Sequence, residues 1–226
     1  AHTYLCADTI FKHGSPEQLK KYIPKLAGGE WIGCMGLTEP GAGSDAASIT
    51  TTAVKKDGKW ILNGTKTFIT NAPVCNVCVV YATVDKALKH KGITAFIVER
   101  GFPGFATGAP FHKMGVRASA TSEVILDNCE VPEENLLGEV GRGFQYLTTF
   151  LAEERLITAV GSLQLALTSF EVTLDFIKER RVFGQPVGTF QNARFKMADM
   201  RAQIDAMQCF IDQCVIEHNN CRLDIV

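Results

Sequence analysis

The stretch Met35-Gly36-Leu37-Thr38-Glu39-Pro40-Gly41-Ala42-Gly43-Ser44-Asp45 departs further from ordinary strand or helix sequence than any other part of the chain. Pro40, Gly41 and Gly43 force a tight, irregular path, and the small side chains of Ala42 and Ser44 leave backbone N–H groups uncovered. A loop of this kind suits an anion or a flat polar ring, although a bare Gly-Ala-Gly is more often a plain turn. Its surroundings bear on the choice. Residues 31–37 read as a buried strand running straight into the loop, and Phe68-Ile69-Thr70-Asn71 follows at a short distance.

Outward from the loop, residues 49–55 are rich in Thr and Val, Asp57-Gly58 predicts a hairpin turn, and Asn63-Gly64 predicts another turn into 65–70. Segments 74–83, 92–99 and 123–131 continue the pattern, so a middle domain of antiparallel strands is expected. Ahead of it, Ser15-Pro16-Glu17 opens a helix with a capping serine, proline at the first helical position and an acid in the first turn. Beyond Leu136-Leu137-Gly138-Glu139 the character changes. Residues 144–178 hold no proline and only Gly161 as an interruption, which predicts one long helix. Its apolar residues, among them Phe150, Ile157, Leu163 and Phe170, lie all round, as in a helix buried among others. Residues 180–186 break it, and a second helix is expected over 190–219. Two long antiparallel helices make half of a four-helix bundle, so the remaining helices are expected from absent sequence or another subunit.

Composition narrows the function. With 226 residues, 46% hydrophobic and 21% charged, the chain is large enough for two domains and has the balance of a soluble globular protein. A net charge of −1 leaves no basic footprint for nucleic acid or an anionic membrane. No apolar run is expected to reach the ~18 residues of a membrane span, and no charged start followed by an apolar block opens the chain. The eight cysteines are scattered through apolar sequence, as reduced, core-filling thiols are. Cys75 and Cys78, three apart in a strand-like run, are expected on opposite faces. Cys214, His218 and Cys221 share a helical face without a fourth ligand nearby, so a packed face is preferred to a metal site.

Leu151-Ala152-Glu153-Glu154-Arg155-Leu156 places carboxylates in a helix that is apolar on every side. Desolvation raises such a carboxyl toward the range of a useful base. An ion pair of Glu153 or Glu154 with Arg155 or Arg201 is the structural alternative, and helical projection does not choose between the two glutamates. His112-Lys113-Met114-Gly115 reads as a phosphate-contacting loop or a solvated turn.

Taken in this order, the motifs at 35–45, 60–71, 91–100, 112–115, 151–156, 180–184 and Gln191 resemble the acyl-CoA dehydrogenases over essentially the whole chain. Leu-Ala-Glu-Glu-Arg-Leu and the terminal stretch 218–224 look most like the long-chain enzymes. The resemblance implies a multi-domain α and β protein: residues 1–30 as the end of an N-terminal helical domain, 31–138 as the antiparallel β-domain, and 139–226 as the first part of a C-terminal four-helix bundle domain. It implies FAD as cofactor. Met35, Gly36, Leu37, Thr38, Gly43, Ser44, Phe68, Ile69 and Thr70 would form the flavin cradle, with Thr38 and Thr70 hydrogen-bonding the ring and Phe68 packing on it. Arg180 and Gln191 would reach the FAD of a neighbouring subunit, in a homodimer or, commonly, a homotetramer. Ser44, Gln145, Ala152, Glu153 and Arg155 would contact the acyl-CoA.

In the long-chain and isovaleryl-CoA subgroups the catalytic base immediately precedes the arginine of this helix, a position held here by Glu154. The implied reaction is a step of fatty-acid β-oxidation. The thioester carbonyl is polarised, Glu154 takes the α-proton, the β-hydride passes to flavin, and the product is a trans-2-enoyl-CoA. An electron-transfer flavoprotein is the implied acceptor, in the mitochondrial matrix of a eukaryote or the cytoplasm of a bacterium. Almost all of the family's N-terminal helical domain, and its final helices, which carry a further FAD-binding glycine motif, are expected to lie outside this sequence. Rival readings on the same fold are an acyl-CoA oxidase, a flavin-dependent monooxygenase, or a catalytically silent fragment or assembly factor.

Overall fold

The computed structural model describes residues 1–223, so Asp224, at the end of the terminal stretch, lies outside the described residues. Contacts divide the chain into two compact units, Ala1–Thr148 and Thr149–Val226.

In the first unit a wide helical turn, His2–Ala7, runs into α1 (Asp8–His13), and α2 (Pro16–Ala27) follows. Ser15 caps α2 reciprocally: its hydroxyl accepts from the Gln18 N–H at 3.2 Å, and its own N–H donates to Gln18 Oε1 at 3.0 Å. Eight strands then form one sheet. They are β1 (Gly33–Gly36), β2 (Thr52–Lys56), β3 (Lys59–Thr70), β4 (Val77–Thr83), β5 (Ile93–Glu99), β6 (Phe105–Thr107), β7 (Thr121–Pro132) and β8 (Leu136–Leu137), in the order β6-β7-β3-β2-β4-β5-β8 with β1 alongside β4. Asp57 (φ 51°) and Gly58 (φ 75°) make the expected β2–β3 hairpin. Strand β1 pairs with β4 in parallel, as does β2 at Thr52 and Thr83, so the sheet is not the simple meander expected.

Asn63-Gly64 is not a turn either. A two-residue type I′ turn needs positive φ at both central positions, and of the two only Gly64 has it. Strand β3 instead runs through for 12 residues, slipping register against β7 between Leu62 and Gly64 and again between Lys66 and Ile69.

Strand β4 is buried along its whole length. Cys78, Val80 and Ala82 share one core with Trp60, Leu62 and Phe96, while Val77, Val79 and Tyr81 share another with Ile10, Tyr22 and Leu26 from the helices. An uninterrupted apolar strand is what a sheet covered on both faces requires, each large side chain contributing about 1.5–3 kcal/mol. Cys75 and Cys78 do not face opposite ways. Cys75 sits in the turn before β4, and both thiols lie in the core that also holds Cys34.

The expected single helix is broken at Phe150 into α3 (Gly143–Thr149) and α4 (Leu151–Glu179). Just before the break the Thr148 hydroxyl donates to the Gln145 carbonyl at 3.0 Å, a side-chain bond that competes with the helical ladder. In the second unit α4 packs antiparallel on α5 (Gln191–Asn219) across a small hairpin of β9 (Arg181–Val182) and β10 (Gln185–Pro186). Among the described residues only Leu163 and Phe170 of α4 and Met197 and Ile211 of α5 are buried, which leaves Leu165, Val172, Phe176, Phe195 and Phe210 exposed. The stretch Gly143–Glu179 is long and apolar enough to span a membrane by length and composition, correcting the expectation that none is. The same all-round pattern belongs to a helix buried within a bundle.

Candidate functional site

The glycine-rich loop leaves β1 at Gly36 and is closed by two backbone bonds between Glu39 and Ala42, of 2.9 and 3.1 Å. Glu39, within the loop, points inward. Its carboxylate accepts from the Thr50 N–H and hydroxyl at 2.6 and 2.7 Å, and from the Thr51 N–H and hydroxyl at 2.9 and 2.5 Å. The Lys66 ammonium, from the middle of β3, donates to Glu39 at 2.8 Å and to the Leu37 carbonyl at 3.1 Å. Both side chains are sealed from solvent, at 0% exposure for Lys66 and 3% for Glu39. Burial alone would raise the Glu39 carboxyl; Lys66 and the threonine donors overcome it and hold the group down to about 2. Burial lowers the Lys66 ammonium, and Glu39 opposes that shift.

Strand β3 meets the loop one residue later. The Thr67 N–H donates to the Thr38 carbonyl at 2.9 Å. Phe68 is the extra residue of the second register slip, in the left-handed region at φ 58°, and its ring stands 68% exposed beside Phe111 at 5.6 Å. Ile69 turns back into the core at 3% exposure, so what it offers a ligand is backbone. Thr70 is half-buried and pairs with Thr121. Met35, Leu37 and Thr38 are half-buried, Gly36 is buried, and Gly43 and Ser44 are exposed. A Cβ built at Gly43 meets nothing within 4 Å. Among the described residues the N–H groups of Gly43 and Ser44 make no hydrogen bond. Open amides in the loop, an exposed aromatic ring on the strand segment bonded to Thr38, and a Glu39 carboxylate neutralised inside fit a flat polar ring system such as a flavin.

Lys113 is tied within its own loop, donating to the Ser119 carbonyl at 2.5 Å and the Thr121 hydroxyl at 3.1 Å, so it does not present a free cation to phosphate. A cavity of about 350 Å³ elsewhere on this unit is lined by Asp45, Ser48, Thr50, Thr83, Lys86 and Lys89. The buried Thr83 hydroxyl beside it has no hydrogen-bond partner among the described residues.

Gln145 lies exposed on α3, where its side chain accepts from Arg142 at 2.8 Å. In the second unit Ala152, Glu153 and Glu154 are half-buried in the first turn of α4, and Arg155 is exposed. Burial, reinforced by the neighbouring Glu153 charge, pushes the Glu154 carboxyl above its ordinary value. Arg201 pairs with Asp205 at 3.0 Å. Arg180 and Gln191 are exposed and close to each end of the β9–β10 hairpin, at the same end of the helix pair. No three His, Cys, Asp or Glu side chains gather as metal ligands among the described residues.

Residues 34–129 match the acyl-CoA dehydrogenase middle domain, and residues 141–223 match the acyl-CoA dehydrogenase C-terminal domain. The chain belongs to the acyl-CoA dehydrogenase family. It is 41% identical over 224 residues to a mitochondrial isovaleryl-CoA dehydrogenase of Oryza sativa subsp. japonica, covering 99% of this chain and 55% of that protein. To the mitochondrial long-chain specific acyl-CoA dehydrogenase of Mus musculus it is 36% identical over 225 residues, covering 99% of this chain and 52% of that protein. A glutaryl-CoA dehydrogenase from Mycobacterium smegmatis in complex with FADH2 matches with a TM-score of 0.87 and 36% identity, over 95% of this chain and 54% of that one. The chain thus spans about half the length of the relatives it matches.

Within this acyl-CoA dehydrogenase chain, the loop and the Phe68 segment are the residues that sequence reading singles out, and the fold brings them together. Missed were Lys66, Thr50 and Thr51, the groups that hold them there. The one available signal was a lysine at an inward-facing position of an otherwise alternating strand, six residues beyond Trp60.

Proposed function

We propose that the protein is an FAD-dependent dehydrogenase that converts a saturated acyl-CoA, of the long-chain class, to the trans-2-enoyl-CoA. The observation that supports this reading most directly is the Thr67 to Thr38 bond, which ties the start of the glycine-rich loop to the strand segment carrying the exposed Phe68 ring. In this reading residues 1–30, 31–138 and 139–226 are parts of the N-terminal, middle and C-terminal domains of an acyl-CoA dehydrogenase. Bound FAD supplies the acceptor for the β-hydride. Met35, Gly36, Leu37, Gly43, Ser44 and Ile69 contribute backbone to its cradle, Thr38 and Thr70 add hydroxyls, and Phe68 covers one face. Arg180 and Gln191 serve the flavin of a neighbouring subunit, which makes the assembly a homodimer or homotetramer.

Glu154 removes the α-proton. A raised carboxyl in an apolar setting is a stronger base than a solvated one once ionised. Ser44, Gln145, Ala152, Glu153 and Arg155 line the path of the acyl-CoA, and the lysines at 86 and 89 suit its phosphates. Electrons leave to an electron-transfer flavoprotein.

The test is the anaerobic visible spectrum with and without a saturated long-chain acyl-CoA, for the wild type and Glu154→Gln. Bleaching in the wild type alone supports the reading. Bleaching in both moves the base elsewhere, rapid reoxidation by oxygen favours an oxidase, and a colourless protein favours a silent relative.

A further inference from the structure

A buried ion pair is weak support for stability, because desolvating both charges offsets most of their attraction, and apolar replacements of similar volume are often neutral or better. The Glu39–Lys66 pair is nevertheless fully enclosed, and every side-chain hydrogen bond it makes is to the loop or to Thr50 and Thr51 beyond it. One Lys66 donor goes to the Leu37 carbonyl and another to Glu39. The lysine stem passes under Gly36, where an added Cβ would stand 3.2 Å from its Cγ. Glu39 in turn takes four hydrogen bonds from Thr50 and Thr51, beyond the far end of the loop. The residue after Lys66 bonds Thr38, and the one after that is Phe68. A single lysine therefore sets the loop in both directions and sits two residues from the exposed ring.

We infer that Glu39 and Lys66 are positioning residues for the flavin site, holding the backbone at 37–38 and the bulge at 67–68 in binding geometry before the cofactor arrives. The inference rests on the flavin reading above. Binding to a site already in shape avoids the ordering cost that a loose loop incurs, so loss of the pair weakens flavin affinity beyond any loss of folding stability.

The experiment uses the full-length protein with FAD as the probe, in three variants: Lys66→Met, Glu39→Gln and the double Glu39→Gln/Lys66→Met. Three quantities are read: the FAD dissociation constant, the Tm of the apoprotein, and amide exchange at Thr67 in the apoprotein. The single variants leave one uncompensated buried group and lower Tm. The double variant removes both charges and is expected to regain apoprotein Tm, while its FAD dissociation constant stays at least tenfold above wild type and its Thr67 amide exchanges at least tenfold faster. Recovery of affinity and Thr67 protection together with Tm in the double variant would make the pair structural only and overturn the inference. Wild-type protein that binds no FAD would instead overturn the flavin reading, and the inference with it.

Discussion

Thr51 packs so closely on Gly64 that a Cβ at Gly64 would stand 2.4 Å from the Thr51 hydroxyl oxygen and 2.8 Å from its Cα. Gly64 also adopts φ 152°, which side-chain-bearing residues rarely take. Thr51 is the residue whose N–H and hydroxyl bind Glu39. Gly64→Ala is therefore expected to cost about 2–4 kcal/mol by urea denaturation and to weaken FAD retention, because the clash is passed to the loop through Thr51. A substitution that leaves the urea midpoint unchanged would refute the contact.

Acid should reach the loop through Glu39. Its folded-state value, about 2, lies below its ordinary 4.5, so its contribution to stability is present above pH 4.5 and is lost as pH falls from there toward 2. Unfolding free energy of the wild type is expected to fall across that window more steeply than that of Glu39→Gln/Lys66→Met. Parallel slopes would contradict the assignment.

Glu154 has the opposite sign. Its carboxyl is raised in the folded chain, so its contribution to stability is present at low pH and is lost as pH rises through the folded value. Glu154→Gln is then expected to have a Tm at neutral pH no lower than wild type, while turnover falls by about 10²–10⁴-fold or more. The wild-type rate should rise with pH on an apparent pKa above that of free glutamate. A variant that loses Tm and activity together would point to a structural carboxylate.

Five thiols, Cys6, Cys34, Cys75, Cys78 and Cys129, are buried and unpaired in disulfides. Burial pushes Cys6 and Cys129 up to about 12, leaving almost no thiolate at neutral pH. Alkylation of the native protein followed by mass mapping should modify exposed Cys209 and Cys221 and spare these five until the chain unfolds. Labelling of any of the five in the native state would show that the core of the first unit opens.

Much of this was legible from local chemistry. Ser15-Pro16 announces α2, Asp57-Gly58 announces the β2–β3 hairpin, and the segment 74–83 announces a strand, because each rests on neighbouring residues. The failures are non-local. Nothing near Lys66 in sequence indicates that Glu39, 27 residues earlier, will meet it. Asn63-Gly64 carries a turn signal that pairing with β7 overrides. Cys75 was placed on the wrong face by assuming a strand that begins two residues later.

The two register slips between β3 and β7 carry one last implication. At the first, the extra residue belongs to β7; at the second, it belongs to β3, so the pairing beyond Ile69 regains the phase it had before Leu62. Only the short interval holding Gly64, Thr65 and Lys66 runs one step out of phase, and that interval delivers the buried lysine. Lengths here are consequently more constrained than identities. Loss or gain of one residue in either strand alone would exchange inward and outward faces downstream, bringing Phe68 or Thr70 to the place of Ile69, whereas one compensating change in each strand would leave the faces as they are.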